Sequence, residues 1–179
     1  MVKPRRPFVI AGLAFEAFAV EHSLRAPAVG YRISAGKASI FYAPDVLSIR
    51  GQKRALEGVD AYVGDGAAIT RGIVRRRDDT MIGHASIRAQ LDWCAKEGVP
   101  RAVFTHCGSE IVRGDERAAA AKVAALGRER GVEAEIAFDG MELDVRLRAV
   151  RRPSSSRAGS GRSRTRRSRP ERGRGGGAS

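Results

Sequence analysis

Short apolar runs separated by glycine-containing turns dominate the first third of the chain and predict β-strands. Strands are predicted over 15–20, 30–34, 39–42 and 60–63. The second and third of these flank Ala35-Gly36-Lys37, where the glycine supplies the turn of a β-hairpin. The fourth ends at Gly64-Asp65-Gly66, and a loop with a short helix is predicted over 46–58. This part of the chain therefore predicts most of a sheet.

A helical period replaces this pattern further along the chain. Ile87, Leu91 and Cys94 lie at i, i+4 and i+7 and predict a helix over 86–97, which Ser86 caps and a glycine ends. An alanine-rich helix is predicted over 115–130, and an ordered loop without a clear period over 67–83. The remaining predicted strands are 101–105, 132–138 and 141–147, with a turn at Asp139-Gly140 before the last.

Strands and helices alternate here without a strict βαβ repeat, which predicts an α/β layered fold with a mixed sheet and flanking helices. The 179 residues, 42% of them hydrophobic, are enough for one domain with a real core. No run of 18 apolar residues is present, and the two cysteines, Cys94 and Cys107, make no disulfide framework. We therefore expect a cytoplasmic protein without a membrane span.

The net charge of +13 is unevenly distributed. Residues 151–179 hold ten arginines and one acid, Glu171, so that +9 lies there and only +4 in residues 1–150. This arginine-, serine- and glycine-rich segment has no large apolar residue and is predicted to be disordered. It is either an arm that binds nucleic acid or another acidic surface, or a solvated extension. The predicted organisation is an extension over 1–12, a domain over 13–148 and a tail over 149–179.

Candidate chemistry is concentrated in the three histidines of the chain, each of which lies at the end of an apolar segment. His22 and His106 follow predicted strands, and His84 precedes the helix over 86–97. Asp45 ends the apolar run before it in the same way. Strand ends hold side chains stiffly beside loops, and imidazole and carboxylate groups bind Zn²⁺ and similar ions. Spacing alone leaves open that each histidine is a structural residue.

These residues also carry a family resemblance. The motifs are Glu21-His22-Ser23, Val29-Gly30-Tyr31-Arg32-Ile33, Phe41-Tyr42-Ala43-Pro44-Asp45, Gly83-His84-Ala85-Ser86, Val103-Phe104-Thr105-His106-Cys107 and Ala137-Phe138-Asp139-Gly140-Met141. In this order they resemble the C-terminal part of a metallo-β-lactamase-fold hydrolase, in the branch of ribonuclease Z and the cyclic phosphodiesterases of phosphonate breakdown. The resemblance covers roughly residues 13–147 and implies a partial αββα sandwich.

The resemblance implies a role for each candidate residue. His22 would ligate a first metal ion, Asp45 would bridge two ions, and His106 would ligate the second. His84 matches a histidine that is not a ligand and that donates a proton to the leaving oxygen or steadies the scissile phosphate. Asp65 either orients His84 or is simply a turn residue between two glycines. The implied cofactor is a divalent metal, Zn²⁺ first with manganese or iron as alternatives, and up to two ions in a complete site.

The chain departs from the family at one point, because it contains no HxHxDH motif. In the family that motif supplies further ligands to both ions. Three explanations for the missing motif are considered. The open reading frame was begun at an internal methionine, the gene is a decayed remnant, or another polypeptide supplies the other half. We favour the first explanation, because the remaining ligand residues are intact in type. In each case an apolar sheet face is expected to lack its cover.

Two functions are therefore predicted as alternatives. The first is a metallo-hydrolase in which a metal-bound hydroxide attacks a phosphodiester or related ester, with Arg75, Arg76 and Arg77 as further phosphate contacts or as a solvated run. The second is a truncated, non-catalytic fold whose basic tail binds nucleic acid or an acidic partner. Expected partners are the ester substrate, nucleic acid at the tail, and a second copy or a missing N-terminal half. Cys107 is either a soft ligand or a small buried hydrophobe.

Overall fold

The computed structural model describes residues 4–145, which form a mixed sheet, a separate hairpin and four helices. The strands are β1 Phe8–Ile10, β2 Leu13–Glu21, β3 Ala28–Ala35, β4 Ala38–Tyr42, β5 Ser48–Ile49, β6 Ala61–Asp65, β7 Ile73–Arg77, β8 Thr80–His84, β9 Arg101–Thr105 and β10 Glu133–Ile136. The helices are α1 Gln52–Leu56, α2 Ile87–Glu97, α3 Ser109–Val112 and α4 Glu116–Arg128.

The main sheet changes from antiparallel to parallel at its centre. Its strand order is β1-β2-β3-β4-β6-β9-β10, and β5 pairs with the end of β2. The first four strands are antiparallel neighbours, whereas β4, β6, β9 and β10 are parallel. The predicted fold class, an α/β architecture with a mixed sheet and flanking helices, is confirmed. The parallel half is what later brings three strand ends to one edge of the sheet.

One face of the sheet and the helices enclose the hydrophobic core. Phe18, Phe41, Tyr62 and Phe104 come from β2, β4, β6 and β9, are fully buried, and each contacts the next with ring centroids 5.8–6.4 Å apart. The predicted helical face Ile87, Leu91 and Cys94 packs into the same cluster and is fully buried too. Large aromatic side chains dominate core energetics. Their interlocking therefore fixes how the strands of the central sheet are placed.

The opposite face of the sheet is apolar but only partly covered. Strand pairing places Phe15 beside Ile33, and Tyr31 beside Tyr42. These four side chains, together with Ile40 and Val63, lie outside the core cluster and retain part of their exposure. Tyr42 is 40% exposed. The sequence predicted an apolar sheet face that lacks its cover, and within residues 4–145 this face is partly covered.

Most predicted elements agree with the structure. The hairpin turns at Ala35-Gly36-Lys37, with Gly36 at φ 58°. The Ser86 hydroxyl accepts a hydrogen bond from the backbone N–H of Ala89, and Gly98 ends helix α2 in the left-handed conformation. Asp115 caps α4 in the same way as Ser86 caps α2, by accepting from the backbone N–H of Ala118. Ser86 therefore caps α2 as predicted, and Asp115 marks the start of the helix that was predicted over 115–130.

Two predictions are wrong. The segment 67–83, predicted to be a loop, contains the β7–β8 hairpin, whose turn places Asp78 at φ 53°. All five residues of β7 are exposed, so neither face of the strand is buried and no alternating apolar pattern marks it in the sequence. The strand predicted over 141–147 is not formed over 141–145, where side chains alternate between half-buried and exposed. The last two residues of this predicted strand lie outside the described residues.

Three short elements were not anticipated, namely β1, β5 and α3. Each has only two to four residues, which is too short for a periodic pattern to develop. β1 lies within the predicted extension 1–12 and pairs with β2. The predicted tail over 149–179 lies outside the described residues. No helix of the described part is long and apolar enough to cross a membrane.

Candidate metal centre

The topology gathers the candidate residues at one edge of the sheet. His22 follows β2 directly, Asp65 is the last residue of β6, and His106 follows β9. Asp45 lies three residues beyond β4. Strands β4, β6 and β9 are parallel, and β2 runs in the same direction because two antiparallel pairings separate it from β4. Their carboxyl ends therefore meet, as they do at ligand sites of other α/β sheets.

The fifth residue, His84, reaches the same place from the separate hairpin. It is the last residue of β8, and its ring lies 4.8 Å from that of His22 and 5.5 Å from that of His106, measured between centroids. The structure thus brings together all five residues singled out in the sequence. Potential ligand atoms of Asp45, Asp65, His84 and His106 lie within 4.8 Å of one another, and this group could hold a metal ion. His22 lies outside that group of four but contacts Asp45.

The carboxylate of Asp45 is at the centre of the three imidazoles. Its Oδ1 lies 3.7 Å from His22 Nε2, 3.4 Å from His106 Nδ1 and 3.9 Å from His84 Nδ1. Within residues 4–145 no group donates a hydrogen bond to this carboxylate. Two ligand atoms that share one tetrahedral Zn²⁺ at 2.0–2.1 Å would lie about 3.3 Å apart. The spacing around Asp45 fits a shared cation better than direct hydrogen bonds, so the residues present fit a divalent metal.

His22 is held in an orientation suited to ligation. Its Nδ1 lies 3.1 Å from the carbonyl oxygen of Gly83, and its own carbonyl accepts a hydrogen bond from the Gly83 N–H at 2.9 Å. Because a carbonyl only accepts, Nδ1 must carry the proton, which leaves a lone pair on Nε2 facing Asp45. Gly83 has φ 127°, and a Cβ at this position would overlap the carbonyl oxygen of Ile73. The hairpin pairing that holds Gly83 against His22 therefore requires glycine.

Asp65 is fully buried and anchors the centre of the site. Its carboxylate accepts hydrogen bonds from the backbone N–H groups of Val46 at 3.0 Å and Ala67 at 2.8 Å. The same carboxylate lies 2.7 Å from His84 Nδ1. Two roles were considered for Asp65, a turn residue and a partner of His84. Its carboxylate makes both kinds of contact, because it organises the turn after β6 and also contacts His84. The Nδ1 proton then points at Asp65 and His84 Nε2 is left for other partners.

His106 occupies a strained loop. Its backbone has φ 53°, in the left-handed region that non-glycine residues rarely adopt, and its side chain is 49% exposed. The loops after β6 and β9 pack closely there, because Gly66 donates to the Thr105 carbonyl and Gly108 donates to the Gly66 carbonyl. Strained residues of this kind concentrate at ligand and catalytic sites. The two glycines bring His106 Nδ1 to 3.9 Å from Asp65 Oδ1.

A buried glutamine, which sequence reasoning missed, clamps the backbone of Asp65. The Gln90 carbonyl oxygen accepts hydrogen bonds from the Tyr62 hydroxyl at 2.9 Å and the Asp65 N–H at 2.8 Å, and its amide donates to the Asp65 carbonyl at 2.7 Å. Burial raises the pKa of Tyr62 well above its usual value, so the hydroxyl is a donor. The sequence could have indicated this role, because Gln90 is a polar residue at a position of α2 that faces the core. Polar residues are rarely buried unless they form hydrogen bonds.

Replacing Gln90 by methionine tests this clamp. The variant leaves three buried polar groups of Tyr62 and Asp65 unpaired, so the free energy of unfolding should fall by roughly 2–5 kcal/mol. Metal affinity should fall as well, because Asp65 loses its fixed backbone position. Urea unfolding and a metal titration measure the two effects, and Gln52→Met on α1 is the matched control with little change expected. A Gln90→Met chain as stable as the parent would contradict the clamp.

Three further titratable side chains, those of Cys107, Cys94 and Glu110, have surroundings that indicate structural roles. The Cys107 thiol lies outside the group of four, and desolvation followed by the nearby Asp65 charge raises its pKa. Cys94 is buried in the core, which raises its pKa to about 12. Glu110 accepts hydrogen bonds from the Ile69 N–H and from Lys122, both at 3.1 Å, and these contacts lower its pKa. Glu110 therefore ties the loop after β6 to α4.

Sequence comparison identifies the family to which this geometry belongs. Residues 1–107, more than half of the chain, match the beta-lactamase superfamily domain. The chain belongs to this family. No curated protein matches it. The family resemblance stated from the motifs is thereby confirmed at the level of the superfamily.

Solved structures show the same fold. The metallo-beta-lactamase fold protein YhfI from Bacillus subtilis is 13% identical, with a TM-score of 0.58, over 76% of this chain and 51% of that protein. Igni18, a metallo hydrolase from the archaeon Ignicoccus hospitalis, is 13% identical with a TM-score of 0.55, over 82% and 60% of the two chains. An isothiocyanate hydrolase from Delia radicum gut bacteria is 14% identical with a TM-score of 0.53, over 78% and 56%. The chain spans about half to three fifths of their lengths.

Proposed function

We propose that this protein is a metal-dependent hydrolase of phosphodiesters or related esters, in the branch of ribonuclease Z and the cyclic phosphodiesterases. The observation that carries the proposal is the Asp45 carboxylate, which faces three imidazoles at 3.4–3.9 Å without a hydrogen bond from residues 4–145. The superfamily match and the hydrolases of the same fold support the reaction class. The non-catalytic alternative is not favoured.

In this proposal His22, Asp45 and His106 are the metal ligands. The imidazole and carboxylate donors suit Zn²⁺, and they also accept manganese or iron. When bound, a divalent ion lowers the pKa of water and stabilises negative charge on a substrate oxygen. The contact between the Gly83 carbonyl and His22 Nδ1 leaves His22 Nε2 available for ligation. The close packing at Gly66 and Gly108 holds His106 beside Asp45 and Asp65. A complete site would hold two ions, and Asp45 would be a ligand of both.

His84 is the proposed proton donor to the leaving oxygen. The Asp65 carboxylate accepts a hydrogen bond from the Nδ1–H of His84, with the two heavy atoms 2.7 Å apart, so the ring is fixed and Nε2 is the nitrogen that can exchange a proton with the substrate. The side chain of His84 is 20% exposed, which leaves access from one side. Asp65 acts through His84 and the turn, and it is therefore a positioning residue in this scheme.

The partly covered sheet face supports a proposal about partners. Phe15, Tyr31, Ile33 and Tyr42 form an apolar surface on the side of the sheet opposite the core. We expect this surface to pack against a second α/β half, supplied by another copy or another polypeptide, that adds further metal ligands. Binding of nucleic acid by the tail and a cytoplasmic location remain predictions from the sequence.

Hydrolysis assays with metal analysis test the proposed function. The purified full chain, stripped of metal and reloaded with Zn²⁺ or Mn²⁺, is assayed with bis(4-nitrophenyl) phosphate. His84→Gln should keep its bound metal and lose roughly 10²- to 10⁴-fold in kcat, the usual contribution of a general acid. His106→Ala should lose both metal and activity, and the surface variant Asp92→Asn should lose neither. A chain that binds no metal and hydrolyses no ester would reject the proposal.

A further inference from the structure

A cavity of about 300 Å³ opens beside the candidate metal centre, between the end of β2 and the β7–β8 hairpin. Its lining includes two of the site histidines, a hydroxyl, an arginine and apolar side chains. These residues are His22, Ser23, Ile73, Arg75, Ile82, Gly83 and His84. The lining contains no carboxylate, although Asp45 and Asp65 lie just behind the histidines. The cavity therefore presents positive charge and a hydroxyl next to the place where an ester would react.

Strand register explains why Arg75 faces this cavity. In the hairpin Ile73 pairs with His84, and Arg75 pairs with Ile82. Side chains alternate between the two faces of a strand, so Arg75 shares a face with Ile73 and, across the ladder, with Ile82 and His84. Arg76 lies on the opposite face. The alternation places Arg75 and Arg77 on this face, and of the two only Arg75 lines the cavity.

Arg75 is also free of protein partners within residues 4–145, where it has no ion pair or hydrogen bond. Arg76, by contrast, donates to the Asp78 carbonyl and to the Asp79 carboxylate at 3.3 and 3.5 Å. The Ser23 hydroxyl oxygen accepts a hydrogen bond from the Arg25 N–H at 3.2 Å, so its own proton can be donated elsewhere. A guanidinium and a hydroxyl beside a cavity are the donors that an oxyanion needs.

We propose that Arg75 and Ser23 form a subsite for a second anionic group of the substrate, a phosphate or carboxylate on the part of the ester that is not the leaving group. This subsite rests on the proposed hydrolase and narrows its substrates to esters with an additional negative charge. Ile73 and Ile82 lie on the same face of the hairpin as Arg75 and line the cavity with it. The hairpin is thus a specificity element as well as the support of His84.

Paired substrates test the subsite. Thymidine 5′-(4-nitrophenyl phosphate) is compared with the same compound carrying a 3′-phosphate, using the metal-loaded full chain. The parent should prefer the 3′-phosphorylated ester, and Arg75→Gln should raise its KM roughly 10- to 100-fold, the loss expected for one or two charge-assisted hydrogen bonds. The ester without 3′-phosphate should change less than about twofold, and kcat should stay similar for both. Arg75→Lys should recover part of the preference.

The matched control is Arg76→Gln, which removes the same charge from the other face of the hairpin and should leave both KM values unchanged. Equal losses in the two arginine variants, or equal effects on the two esters, would overturn the subsite. If neither ester is hydrolysed, the proposed function fails, and the subsite is then judged by titrating inorganic phosphate into the metal-free chain. Binding that weakens in Arg75→Gln but not in Arg76→Gln supports the subsite, and any other result overturns it.

Discussion

Asp45→Asn is expected to remove most of the metal affinity of this protein while leaving its fold intact. The substitution keeps the size of the side chain and removes the negative charge at the centre of three imidazoles, which lie 3.4–3.9 Å from Oδ1. Second-sphere changes already cost about 10- to 100-fold in metal affinity, so the loss of a central ligand should exceed about 100-fold. Competition with a chromophoric chelator measures the dissociation constant.

The stability of the metal-free Asp45→Asn chain separates ligation from folding. No hydrogen bond to this carboxylate is present within residues 4–145, so the urea midpoint without metal should stay close to that of the parent. Asp79→Asn, which removes a fully exposed carboxylate from the hairpin turn, is the matched control and should bind metal normally. If Asp45→Asn binds Zn²⁺ as tightly as Asp79→Asn, Asp45 is not a ligand.

Among glycine-to-alanine substitutions in the described part of the chain, Gly83→Ala is expected to cause the largest loss of stability and metal affinity. A Cβ at this position would overlap the Ile73 carbonyl oxygen, and the backbone φ of 127° is unfavourable for alanine. The hairpin must shift, which removes the contact that fixes His22. We expect the free energy of unfolding to fall by about 2–4 kcal/mol and metal affinity to fall with it. Urea unfolding and the same chelator competition measure both quantities.

Gly36→Ala is the control for backbone strain alone. Gly36 also has a positive φ, 58°, but a Cβ there meets no atom within 4 Å. This variant should lose only about 1 kcal/mol of stability and no metal affinity. Equal effects of the two alanine substitutions would show that steric contact at the hairpin does not position His22.

The sequence predicted those parts of the fold in which burial is one-sided. Helix α2 was placed correctly because Ile87, Leu91 and Cys94 repeat at helical spacing and Ser86 caps its start. The β7–β8 hairpin was missed because both faces of β7 are exposed, so no apolar period marks it. After Gly140 the error was the reverse, because a strand was predicted where none forms. Apolar and polar residues alternate there as in a strand, but residues 141–145 do not form one.

The candidate site was predictable in its residues but not in its supports. His22, Asp45 and His106 stand out because they follow apolar segments in a chain with few histidines. Gln90 could not be assigned from the sequence, because its task depends on the Tyr62 hydroxyl and the Asp65 backbone, which only the packing of α2 against β6 brings within hydrogen-bond distance. Local pattern identifies groups at strand ends, whereas buried hydrogen-bond networks follow from tertiary contacts.

The most direct test of the metal centre is anomalous X-ray diffraction from crystals of the full chain grown with Zn²⁺, with data on both sides of the zinc absorption edge. We predict anomalous density beside Asp45, with ligand distances of about 2.0–2.2 Å to Asp45 and to His22 or His106. His84 should remain hydrogen-bonded to Asp65. The centre would be contradicted by well-ordered density for these side chains without a peak between them, or by a peak that requires Cys107 in place of Asp45.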